Sequence, residues 1–208
     1  MHCPVFDRCR SRTDGELCTD LNQDKLNGLI ASDEQFQPGS PERARPCRLG
    51  VMPFVERLAL RQLKKGNAHH PPVPTHLASL VDEDHPIEVR AVRLKACCAA
   101  TWRLQDGWVI QVTDTASPSR NRVAVFHEAF HILAHSRSTA VPVFSKRGAT
   151  QGRFNELMAD YFAICMLMPG DWVQESWAEV RSVDRMAEAF EVPPTAMWLR
   201  LRELDLID

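Results

Sequence analysis

Residues 127–131 read His-Glu-Ala-Phe-His, and this pentapeptide constrains the chain more than any other stretch. On an α-helix, positions i and i+4 share a face, so His127 and His131 can reach one point while Glu128 stands at the edge of that face. The flanking residues read VAVFHEAFHILA from Val123 to Ala134 and are otherwise apolar. A helix that is apolar almost all round is a buried helix. One histidine in such a helix is most simply a satisfied core histidine. Two histidines and a glutamate are three ionisable groups in a core, which is costly unless something pairs them. A divalent cation would do so. Pro118 and Ser119 precede the run, and serine is a favoured N-cap. Chance supplies such a pentapeptide in roughly 2% of chains of this composition, so its context has to decide its meaning.

A hydrolytic zinc site needs a third protein ligand and an open fourth position. Glu156 and Asp160 follow in the run Asn155-Glu156-Leu157-Met158-Ala159-Asp160-Tyr161-Phe162-Ala163, again at i and i+4. The rest of that segment is apolar, so a second buried helix carries two carboxylates on one side. Glu156 can complete the metal shell. Asp160, one turn on, can accept the other ring N–H of a ligating histidine and fix its tautomer. Glu128 is then free to serve as general base. Alternatively, the two carboxylates form a solvent-facing acidic edge. His135 extends the histidine face by one further turn, as an oxyanion donor or as a polar plug at the helix end. Tyr161 is the one tyrosine of the chain. It stands five residues from Glu156, about 140° round the helix, and is expected to face elsewhere.

These residues resemble the ImmA/IrrE family of metallopeptidases, which are thermolysin-like zincins. The similarity runs from about Pro72 and includes Gly107-Trp108-Val109-Ile110-Gln111-Val112, Arg122, and His127-Glu128-x-x-His131. It continues through Glu156-x-x-Ala159-Asp160-x-Phe162-Ala163 and Leu167-Met168-Pro169, and ends with Met186-Ala187-x-x-Phe190-x-Val192 and Ala196-x-x-x-Arg200-Leu201. The family usually has Leu-Gly where this chain has Ala129-Phe130. The glycine leaves space and the phenylalanine fills it. Met158 stands where an acidic residue is common. The resemblance implies a regulatory, zinc-dependent endopeptidase linked to transcription control or stress response. Its substrate would be a DNA-binding repressor of helix-turn-helix type, cut in an exposed segment. The alternative is a metal-stabilised interaction module that binds a regulator without cleaving it. An intact Glu128 speaks for the enzyme, because a scaffold has no use for a base.

The expected fold is α+β. It has a zincin-like core in which a small, mostly antiparallel sheet packs on the two metal-binding helices, followed by C-terminal helices. Strand-like runs occupy Ile87–Leu94, Ala99–Leu104 and Trp108–Val112, with Gln105-Asp106-Gly107 as a hairpin turn between the last two. Pro169-Gly170 stops the second metal helix, and Asp171 with Gln174 is expected to cap the next. Two short helices close the chain, at about 183–190 and 195–204. A Pro-rich stretch, Gly66 to Pro74, reads as a linker. It divides an N-terminal extension (1–70) from a peptidase domain (71–208) that includes a helical element at 171–208. Within the extension, Leu21 to Ile30 and Pro53 to Lys65 suggest helices, and Leu77 to Val81 forms a short helix after the linker.

The net charge is −2 with a pI near 6.4, which gives no electrostatic footprint for direct nucleic-acid binding. The last two helices have a helix-turn-helix-like pattern, but residues 181–208 hold four basic and six acidic side chains. They are expected to dock on the catalytic core or on a protein partner. The longest apolar run, Tyr161 to Met168, is eight residues, too short to cross a membrane. The N-terminus has no apolar signal-peptide core, and the seven cysteines are read as mostly reduced, in a cytoplasmic protein. Cys3, Cys9, Cys18 and Cys47 with His2 could hold a second zinc, although their spacings are not those of common zinc fingers. His69, His70 and His76 are expected to be solvated, and Cys97-Cys98 to be packed.

Overall fold

The computed structural model describes residues 51–95, 97–135 and 149–208, and for 135 and 149–154 the backbone alone. The helix expected around Leu21–Ile30 and the Cys3/Cys9/Cys18/Cys47 cluster lie outside the described residues.

Helix α1 spans Met52–Lys65 and opens on Pro53, whose missing N–H costs nothing in a first turn. It buries Val55, Leu58, Ala59, Gln62 and Leu63, a stripe at i, i+3, i+4, i+7 and i+8. A 3-10 helix at Thr75–Val81 adds Leu77, Ala78 and Val81 to the same core. Strands β1 (Ile87–Val92), β2 (Ala99–Arg103) and β3 (Trp108–Thr113) form one sheet in the order β1-β3-β2. Helices α2 (Pro118–His135) and α3 (Ala149–Leu167) pack against each other, with α1 on α3 and the sheet and the 3-10 helix on α2. Helices α4 (Gly170–Val180), α5 (Val183–Phe190) and α6 (Pro194–Glu203) close the fold. Met186, Phe190, Met197 and Leu201 of α5 and α6 are fully buried in the common core, so these helices dock on the helices that carry the site.

The sheet is mixed. β2 and β3 form the expected antiparallel hairpin, with Arg103 opposite Trp108, but β1 runs parallel to β3. The chain enters β3 between its two predecessors, so β1 and β2 never pair. Gly107 closes the hairpin because a Cβ there would lie 2.7 Å from the Pro86 carbonyl oxygen. That same oxygen accepts from Trp108 N–H at 2.8 Å and ties the turn to the start of β1.

Two expected caps differ. Helix α2 begins a turn earlier than its apolar run, and the capping side chain is Ser117, which accepts from Arg120 N–H at 3.4 Å; Ser119 lies inside the helix. Helix α4 has Pro169 at its N-cap without a side-chain cap bond, and Asp171 sits in its first turn, where a negative charge suits the helix dipole. Among the described residues, no helix is long and apolar enough to cross a membrane.

Candidate metal centre

Two ring nitrogens and one carboxylate converge where α2 crosses α3. His127 Nε2 and His131 Nε2 face each other at 3.2 Å, and the Glu156 carboxylate lies 3.5 Å from each. Among the described residues, His127, His131 and Glu156 are the group whose donor atoms could share a metal ion. An ion held by such donors at about 2.0–2.1 Å needs tetrahedral edges of about 3.3–3.4 Å. The observed separations of 3.2–3.5 Å fit that requirement.

The surroundings also suit a cation. His127 Nδ1 donates to Asp160 Oδ1 at 2.7 Å. An ionised carboxylate only accepts, so this bond places the proton on Nδ1 and turns Nε2 toward Glu156. Burial alone would disfavour a charged His127 ring. Asp160 outweighs it, with Glu156 and Glu128 adding to the effect, and holds the imidazole well above its ordinary range. Three carboxylates around two imidazoles make a pocket that favours positive charge. The two histidine side chains are each 19% exposed and Glu156 is 35% exposed, so the group is reachable from solvent.

Glu128 stands next to His127 on α2 and is itself buried, at 8% exposed. Its Oε2 accepts from Thr101 Oγ1, on β2, at 2.5 Å. Phe130, the departure from Leu-Gly, lies edge-on to the His131 ring, centroids 6.3 Å apart. It is 1% exposed and packs on Phe162 of α3, ring centroids 5.4 Å apart, so its volume goes into the α2–α3 interface. Met158 is likewise buried in the core.

Of the side chains singled out from sequence, His127, His131, Glu156 and Asp160 are brought together, with Glu128 beside them. His135 ends α2, and its side chain lies outside the described residues. Tyr161 is buried on another side of α3, near Cys165 and Arg200. Cys98 is buried and Cys97 half-buried, and His69, His70 and His76 are exposed. Thr101 was missed. Its sole sequence signal is a polar side chain on the same sheet face as Ile110, its partner in β3.

A His-His-Glu cluster on two packed helices, with a second glutamate next to the first histidine and a small sheet alongside, defines a zincin-like fold. The family model described as Peptidase_M78, IrrE N-terminal-like domain, matches residues 83–202, and the chain belongs to this family of metallopeptidases. The resemblance carried by the sequence motifs is thereby borne out. Among solved structures, a Mycobacterium tuberculosis transcriptional regulator shares the fold with a TM-score of 0.53 and 10% sequence identity. The match covers 86% of this chain and 50% of that one, so this chain spans about half its length. The comparison with curated proteins gives no match.

Proposed function

We propose that this chain is a zinc-dependent endopeptidase with a regulatory role, cutting a DNA-binding repressor or a similar protein within an exposed segment. The observation that carries the reading is the convergence of His127, His131 and Glu156 at tetrahedral-edge distances, with the Glu128 carboxylate beside them. Two imidazoles and a carboxylate are a zinc donor set. When bound there, zinc supplies activation of a water at neutral pH and polarisation of a peptide carbonyl.

The chain's own residues do the rest. Asp160 orients the His127 ring through the Nδ1–H bond. Glu156 contributes charge from α3, its carboxylate 3.5 Å from each histidine. Glu128 takes the proton of the attacking water and passes it to the leaving amine nitrogen. His135 is the candidate from α2 for steadying the oxyanion. Family membership supports the reaction class. The repressor substrate rests on the family resemblance, and a fold neighbour that is itself a transcriptional regulator is consistent with it.

The test is incubation of the zinc-loaded protein with a candidate helix-turn-helix repressor, with and without a chelator. Wild type should cut at one or a few linker sites, and Glu128→Gln should keep its zinc and its partner while losing at least ~10²–10⁴-fold in cleavage. If wild type binds the repressor without cutting it and Glu128→Gln regulates equally well, the chain is a metal-stabilised binding module.

A further inference from the structure

We infer that Thr101 is a positioning residue for Glu128. The inference rests on the peptidase reading of the site and names a residue outside its motifs. Thr101 stands in the middle of β2, paired with Ile110 of β3, which is completely buried. Strand residues on that face pack toward α2, where an apolar side chain would be the simple solution. The threonine instead donates its hydroxyl across 2.5 Å to Glu128 Oε2. Glu128 is 8% exposed, and a carboxylate so buried is poorly oriented by water. The bond occupies one carboxylate oxygen and fixes the rotation of the group, which leaves Oε1 as the oxygen for a proton in the cleft. β-Branching suits the strand, so valine at this position keeps the packing and removes the hydroxyl alone.

Acetohydroxamic acid tests this without a substrate. It chelates zinc and presents an acidic O–H that a neighbouring carboxylate accepts. Its affinity for the zinc-loaded full chain would be measured by calorimetry for wild type, Glu128→Gln, Thr101→Val and Thr101→Ser, with zinc affinity and melting temperature alongside. Glu128→Gln should weaken the hydroxamate. Thr101→Val should weaken it by about 10-fold, the scale of a hydrogen bond to a charged group, with zinc affinity unchanged. Thr101→Ser, which restores the hydroxyl, should stay within about 2-fold of wild type. If the valine variant does not fold, Thr101→Ala replaces it in the same comparison. Hydroxamate binding unchanged by loss of the hydroxyl, while Glu128→Gln weakens it, overturns the role of Thr101 and leaves Glu128 as the base. Zinc affinity falling together with hydroxamate affinity also overturns it, in favour of a structural contact. Hydroxamate affinity unchanged in Glu128→Gln removes Glu128 from the metal site and the inference with it.

Discussion

His127 and Asp160 meet at 2.7 Å from helices whose contact residues are 33 positions apart. Asp160→Ala should lower zinc affinity or turnover by about 10–100-fold while leaving the melting transition in place, because the imidazole loses its orienting partner and little else. Chelator competition would measure the affinity, and equal values in both proteins would make Asp160 a bystander. Glu156→Gln should weaken zinc as well, since a neutral amide is a poorer ligand than a carboxylate. At this scale the five groups around the site were legible, because each pair obeys a local rule. The pairs 127/131 and 156/160 are i,i+4 on helices, and their chemistry stands out from apolar neighbours. Thr101 was not legible, because its bond to Glu128 spans 27 positions and depends on strand register. Ser119 lost its place to Ser117 for a smaller reason: Pro118 fits the first turn of a helix, so the cap falls on the residue before it.

At the scale of elements, the hairpin β2–β3 could be read from its turn, and the helices from their apolar periodicity. The place of β1 could not. Alternation gives strands and faces, but nothing local states that β3 will enter between β1 and β2, so a parallel pair was missed. The Phe130–Phe162 contact is a second element-scale feature. Glycine at 130 would let α2 and α3 approach; phenylalanine fills the gap and needs a partner ring to pack on. Phe130→Ala should therefore destabilise the fold by about 3–5 kcal/mol, the usual cost of emptying a buried aromatic site. Denaturant unfolding would measure it, and a loss under about 1 kcal/mol would mean that the interface closes around the vacancy. Gly107→Ala should also destabilise the fold, by about 1–3 kcal/mol, because the new methyl group would press on the Pro86 carbonyl, which is backbone and cannot swing aside.

For the whole molecule, the decisive contacts join its first described helix to its last. Arg200 of α6 is 1% exposed; Nε donates to Met168 O at 3.0 Å, Nη1 to Glu203 at 2.9 Å and Nη2 to Glu56 of α1 at 3.2 Å. Burial opposes its charge, but Glu203 and the groups around it hold the guanidinium firmly protonated, while burial pushes the neighbouring Cys165 thiol up to about 12. Composition alone puts a boundary near residue 70, at the Pro-rich stretch. Packing does not follow composition there: Val55 and Ala59 of α1 are completely buried in the core that holds α3, and Val73 of the stretch itself is too. Val55, Leu58 and Leu63 are each worth about 1.5–3 kcal/mol when buried. Their sum alone is comparable with the 5–15 kcal/mol that separates a folded domain of ordinary stability from its unfolded chain. A protein starting at residue 51 should therefore unfold cooperatively and bind zinc, whereas one starting at residue 71 should show no cooperative transition and expose apolar surface to a dye. Arg200→Ala in the longer protein should cost about 3 kcal/mol, toward the low end for a broken buried pair because Glu56 and Glu203 remain partly hydrated. Calorimetry on the three proteins separates the outcomes. A sharp transition in the protein starting at residue 71 would show that α1 is an ornament on a self-sufficient core, and the loss caused by Arg200→Ala would then have to come from Met168 and Glu203 alone.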